Sequence, residues 1–132
     1  MASKIYNFQK EERLYSKKLL DELFKNGSSF LLYPYRVTWL RSPNLDQLFP
    51  AQVVIAVPKK RFKRSVDRNL IRRRIKEAYR LNKEQHFYQA LVAHNTKLVL
   101  AINYVGNQAH DSSFLEKKLN LMFVECLNQV IK

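Results

Sequence analysis

Residues 59–80 read KKRFKRSVDRNLIRRRIKEAYR, eleven Lys and Arg against Asp67 and Glu77. That window holds +9 of the +13 formal charge of the whole chain. The chemistry it offers is phosphate binding, since a dense cationic surface gains free energy by displacing counterions from a polyanion. Lys59, Lys60, Arg61, Lys63 and Arg64 come first, without a clear period. The spacing then turns helical. At about 100° per residue, Ile71, Ile75, Ala78 and Tyr79 fall together, while Arg68, Asn69, Arg72, Arg73, Lys76 and Arg80 spread over the other side. Arg68, Arg72, Lys76 and Arg80 follow one another at four-residue steps. Like charges at that spacing repel by a few tenths of a kcal/mol per pair, roughly, on a free helix. A helix that needed only solubility would interleave Glu, and this one offers Glu77. Phosphates would supply the missing compensation. Arginine predominates over lysine on the helix, and its guanidinium can hold a phosphate at two points and stack on a base.

Composition narrows the partner. With 132 residues, 46% of them hydrophobic, the chain suits one domain, 1–132, around one core. A pI near 10.0 leaves nucleic acid, an anionic membrane or an acidic protein. No apolar run approaches the roughly 20 residues of a membrane span. Binding to a membrane surface would need an apolar face open to lipid, and a small domain uses that face for its core; no membrane partner is expected. Eight Phe, seven Tyr and one Trp argue against disorder as the reason for the charge. Nucleic acid is the partner the composition favours. Residues 1–13, MASKIYNFQKEER, lack the apolar centre of a secretory signal. The single Cys126 has no internal disulfide partner, so the expected compartment is the cytoplasm.

Other reactive side chains are not arranged for chemistry. His86, His94 and His110 do not have metal-ligand spacing, and Cys126 reads as a small core residue on an apolar stripe. Glu11-Glu12 and Asp21-Glu22 are sequence neighbours, not positioned acid–base pairs. Ser28-Ser29 belongs to a turn, and no glycine-rich phosphate loop occurs. No catalytic residue, metal site or cofactor bound by the protein alone is expected.

The elements that must position the basic window follow from pattern. Ser16 caps a helix over residues 16–26, carrying Leu19, Leu20, Leu23 and Phe24 and ending at Asn26-Gly27. Residues 30–40 read as a strand in which Tyr33, Tyr35, Val37 and Trp39 share one face; those aromatics suit a core as well as a binding surface. Residues 42–50 form a turn-rich loop. Residues 52–57 have the apolar, β-branched character of a central strand. A loop over 59–64 leads to a helix capped by Ser65 and running to about Asn82. Residues 85–94 have no decisive period, and a further turn of helix fits them. Residues 97–104 are a strand. Ser113 and Glu116 form a capping box ahead of a helix striped by Leu115, Leu119, Met122, Phe123, Cys126, Leu127 and Val130. This order describes an α+β sandwich of helices on a small sheet.

Lys59-Lys60, then Arg68-Asn69, Ile71-Arg72-Arg73, Ile75-Lys76 and Ala78-Tyr79-Arg80, resembles the signature of the bacterial ribonuclease P protein subunit. Leu20, Leu23, Phe24 and Gly27 are similar to that family's first-helix pattern, and the resemblance covers nearly the whole chain. It implies an αβββαβα order with a mostly antiparallel sheet, the basic helix making a left-handed βαβ crossover. It also implies a function: the protein works with a catalytic RNA that uses magnesium ions to release the 5′ leader from precursor tRNA. Arg68, Asn69, Arg72, Arg73 and Lys76 would then contact RNA, with Lys59, Lys60, Arg61, Lys63, Arg64, Arg74 and Arg80 extending the surface. Leu20, Phe24, Tyr35, Val37, Trp39 and Lys60 would line the leader cleft. Two positions depart from the family pattern. Leu70 stands where the family usually has the third residue of an Arg-Asn-Arg core, and Leu20 replaces an aromatic. Arg74, one turn from Leu70, is expected to supply the missing guanidinium. The rival function is a non-enzymatic RNA-binding protein, such as a ribosomal protein or RNA chaperone; a duplex-DNA reader is a third.

Overall fold

A computed structural model of the chain describes residues 8–42 and 47–131. Ser16 Oγ accepts the Leu19 N–H at 3.2 Å, satisfying a first-turn donor, and helix α1 (Lys17–Asn26) follows. Next come β1 (Ser28–Leu32) and β2 (Tyr35–Arg41), antiparallel, with Leu32 opposite Tyr35. The single strand expected over 30–40 is thus a hairpin turning at Tyr33-Pro34. Proline has no N–H to give to a ladder, and the chain reverses there. The loop expected over 42–50 lies partly outside the described residues.

Strand β3 (Ala51–Ala56) runs parallel to β4 (Leu98–Tyr104), and β4 pairs with β2 antiparallel. The sheet order is β1-β2-β4-β3. So β3 is an edge strand, not the central one its composition suggested; β4, buried along nearly its whole length, is interior. What covers part of β3's edge is a strap, residues 8–15, bent by a 3-10 turn at Lys10–Glu12. The Leu14 N–H donates to the Val53 carbonyl at 3.0 Å, and Gln52 Nε2 donates to the Glu11 carbonyl at 3.2 Å.

Helix α2 (Ser65–Lys83) passes through a π turn (Glu84–Tyr88) into α3 (Gln89–Ala93), which resolves the undecided stretch as helix. Its N-cap position is Arg64, without a side-chain bond, so Ser65 is the first helical residue rather than the cap. Helix α4 (Ser112–Val130) likewise begins before the expected capping box. Asp111 caps it, accepting the Phe114 N–H at 2.9 Å. Glu116 instead accepts from Asn82 Nδ2 at 2.8 Å, tying α4 to α2.

The sheet divides the interior into two layers. On one face Tyr35, Val37, Leu100 and Ile102 meet Ile71, Ile75 and Tyr79 from α2 and Leu119, Met122 and Phe123 from α4. On the other, Leu14, Leu23, Val99 and Ala101 form a smaller cluster under α1. Cys126 sits in the larger layer, where burial pushes its thiol up to about 12. Gly27 lets α1 end against β2: a Cβ there would lie 2.4 Å from the Leu23 carbonyl oxygen and 2.8 Å from that of Trp39.

One buried ion pair fastens the strap. Glu12 and Lys83, exposed by 0% and 2%, join through Oε2 and Nζ. Tyr88 Oη donates to the same Oε2 at 2.6 Å, and the Gln9 N–H donates to Oε1 at 3.0 Å. Desolvation lowers the affinity of Lys83 for its proton, opposed by the Glu12 carboxylate.

Two stability outcomes follow. Gly27→Ala forces backbone apart at the α1–β2 contact and should cost about 1–3 kcal/mol, read as a lower urea midpoint with an unchanged slope. Lys83→Met alone strands a buried carboxylate and should cost about 3–5 kcal/mol, whereas Glu12→Leu with Lys83→Met should recover most of it. Equal losses in the single and double variants would show that the pair is not what holds the strap.

Candidate nucleic-acid interface

The basic window folds in two parts. Residues 59–64 form a loop whose Arg61 and Phe62 N–H groups donate to the Pro58 carbonyl at 3.2 and 3.3 Å. Phe62 anchors it, packing on Tyr104 with ring centroids 5.9 Å apart. Arg68 Nη1 reaches back from α2 to the Phe62 and Lys63 carbonyls, both at 2.8 Å. One aromatic and one guanidinium therefore fix the loop while Lys59, Lys60, Arg61, Lys63 and Arg64 stay exposed.

On α2, Ile71, Ile75, Ala78 and Tyr79 are buried, as the spacing requires. The remaining residues fall on three flanks. Arg72 and Lys76 look toward the strap and share a groove with Phe8, Arg13 and Tyr15. Asn69 and Arg73 are fully outward, and Asn69 Oδ1 accepts from Arg72 Nη1 at 2.8 Å. Arg74 lies on the α4 flank, facing Ser112 and Glu116 across a shallow depression. Its Nη1 donates to the His110 carbonyl at 2.6 Å, so this guanidinium also holds the loop before α4.

The charge ladder is compensated at its last rung. Arg80 pairs with Glu77 at 2.5 Å, and the hydrogen bond from Arg80 holds the Glu77 carboxyl below its ordinary value. Among the described residues no carboxylate comes within ion-pair range of Lys59, Lys60, Arg61, Lys63, Arg64, Arg68, Arg72, Arg73, Arg74 or Lys76. The result is a rigid, unneutralised cationic surface spanning loop and helix.

The six residues expected to line a cleft are not brought together. Leu20 is half-buried on the sheet side of α1, Phe24 is 57% exposed on the same helix, and Lys60 is exposed on its loop. Tyr35, Val37 and Trp39 point to the opposite face of the sheet and are 0%, 0% and 8% exposed. That corrects the expectation, because a ring inside the core cannot stack on a base. Their polar atoms are spent inward as well. Tyr35 Oη donates to the Leu115 carbonyl at 2.8 Å, and Trp39 Nε1 donates to Gln129 Oε1 at 2.9 Å. The face of β2 on the α1 side carries Arg36, Thr38 and Leu40, with Thr38 bonded to Ser29 at 2.9 Å. Alternation marks both sets of residues and fits either side; the resemblance assigns the aromatic set to the cleft, and the structure puts it in the interior. Sequence reasoning also passed over Phe8, Arg13 and Tyr15, whose proximity to α2 depends on the strap meeting β3, a contact with no local signal.

No group of three or more His, Cys, Asp and Glu is placed to hold a metal ion among the described residues. No helix among them is long and apolar enough to cross a membrane.

Comparison with known proteins bears on the same surface. The protein-family model for Ribonuclease P matches residues 8–124, a stretch that includes the strap, the sheet, the basic loop and α2. The ribonuclease P protein component of Porphyromonas gingivalis strain W83 is 38% identical over 78 residues, covering 59% of this chain and 56% of that protein. A second strain's protein matches to the same extent, so the match spans a little over half the length of these curated relatives. Among solved structures, the Staphylococcus aureus RNase P protein superposes with a TM-score of 0.66 at 16% identity, over 87% of this chain and 94% of that one. The Thermotoga maritima RNase P protein gives 0.65 at 18% identity, over 86% and 96%. At such identity the likeness speaks for the α+β fold. Taken with the family match across nearly the whole length, it places the chain in the ribonuclease P protein family.

Proposed function

We propose that this chain is the protein subunit of ribonuclease P, binding a catalytic RNA and the 5′ leader of precursor tRNA so that the leader is removed. The observation that carries this reading is the unneutralised cationic surface from the 59–64 loop along α2, held rigid by Phe62, Arg68 and the buried stripe. Packing has already fixed the backbone that carries these cations, so binding need order their side chains and not the chain. Arg72, Arg73 and Lys76, with the exposed loop cations, are the proposed contacts to RNA phosphates. Asn69, between Arg72 and Arg73 on the outward side, can offer an amide as well. The leader is proposed to pass α1, where Phe24 is the exposed ring and single-stranded bases stack best on aromatics beside a cationic track. With Tyr35, Val37 and Trp39 inside the core, this contact relies on α1 more than on β2.

In this reading the magnesium ions that the cut requires are held by the RNA, and the protein's part is to offset phosphate charge and orient the leader. The proposed site of action is the cytoplasm. Arg74 remains the candidate to replace the guanidinium absent at Leu70, in addition to its bond to His110.

The test is reconstitution: purified chain added to a bacterial ribonuclease P RNA and precursor tRNA at low magnesium should raise the rate of leader removal. No stimulation would sink the reading and leave a non-catalytic RNA-binding protein. Arg72→Ala with Arg73→Ala should weaken binding to that RNA and lower the slope of log affinity against log salt by about 2. Phe24→Ala should weaken binding of precursor tRNA bearing a leader, and not of mature tRNA.

A further inference from the structure

Between the strap, the uncovered part of β3's edge and the strap-side flank of α2 lies a groove of about 260 Å³. It is smaller than a pocket for a drug-sized ligand, and its scale suits a single planar fragment. The floor is apolar, formed by Val53, Val54 and Ile55. The walls carry three cations, Arg13, Arg72 and Lys76, and no carboxylate. Two aromatic rings complete it. Phe8 is wedged edge-on against Tyr79 at 5.6 Å and is ringed by Arg13 and Lys76, 5.3 and 5.4 Å from its centroid. Tyr15 is different: it is 62% exposed, and Arg13 Nη1 donates to its hydroxyl at 3.4 Å. Arg13 Nε is buried and has no hydrogen-bond partner, a donor that the folded chain leaves unspent.

We propose that this groove binds one unstacked nucleotide of single-stranded RNA, its base on Tyr15 and its flanking phosphates on Arg72 and Lys76. It rests on the reading of the chain as an RNA-binding ribonuclease P protein, and it concerns a surface apart from Phe24 and α1. The charge decides the occupant. An extended peptide could also pair with an open strand edge, but a peptide's backbone gains nothing from three cations crowding the same groove. A ribonucleotide satisfies each part: a π-face for Tyr15, anionic oxygens for the cations, and apolar ring edges for the valine floor. The Glu12–Lys83 pair anchors the strap that forms one wall of the groove.

The test uses the full chain and a fluorescent oligouridylate, with affinity read by anisotropy at several salt concentrations and no ribonuclease P RNA present. Tyr15→Ala should weaken binding by about 5- to 100-fold, from the loss of one stacking contact, and leave the salt slope unchanged. Tyr15→Phe should bind as the wild type does. Lys76→Gln should lower the slope by about 0.7, the single-strand value for one phosphate contact. Lys117→Gln, exposed on α4, serves as the control and should change neither. Wild-type affinity in Tyr15→Ala, loss confined to Phe24→Ala, absence of oligouridylate binding, or equal affinity for an oligoglutamate peptide would each overturn the proposal. Because leader removal is not the readout, failure of the reconstitution and failure of this groove are separate results.

Discussion

A helix that displays Arg68, Arg72, Arg73, Arg74, Lys76 and Arg80 needs something other than its own propensity to hold it together. The constraint on which the rest depends is the seating of Ile71, Ile75, Ala78 and Tyr79 against the sheet. Each large buried side chain of that stripe contributes on the order of 2 kcal/mol, against a few tenths of a kcal/mol for each repulsive pair, roughly. The stripe wins by a wide margin. Packing therefore lets the outward side be chosen for a partner rather than for the helix. The same logic extends to the loop before it, where Phe62 alone is surrendered to the core and its five cationic neighbours are left outside.

The sheet separates two tasks. Its inner face meets α2 and α4 and takes the aromatic residues of β2, whose hydroxyl and indole groups bond to α4. Its other face is covered by α1 through a smaller apolar cluster, leaving Phe24 outside. The basic helix and the exposed ring of Phe24 thus lie on different faces, joined through one thin sheet. A change in β2 or β4 is felt on both sides, since each strand sends alternate residues to each layer.

What could be read beforehand depended on whether the signal was local. The α2 stripe was legible because helical period and burial share one cause. The α4 stripe was legible for the same reason, and six of its seven residues are fully buried. Alternation in β2 named two faces without saying which one was interior; the answer lies in where α4 packs, far along the chain. β3 looked central because an apolar strand signals coverage, and part of that coverage comes from a strap rather than a second strand. The caps at Ser65 and Ser113 failed because each helix begins where the preceding loop allows, with Arg64 and Asp111 in the cap positions. Glu12 and Lys83 lie 71 positions apart, and no local pattern ties one to the other. Only their meeting inside the fold makes them an anchor.

That anchor bears on how copies of the chain stay apart from one another. A strand edge is a template for further strands, and β3 is such an edge, rich in valine and isoleucine. While the chain is free, a net charge of +13 keeps copies at a distance. On the proposed function, a polyanion bound along α2 would remove that protection as it concentrates the protein. The strap occupies the edge at Val53 by a backbone hydrogen bond, and the Gln52 side chain adds a second tie, neither weakened by neutralisation. Beside the cationic surface the chain therefore carries a second safeguard against sheet-to-sheet association, one that does not depend on charge.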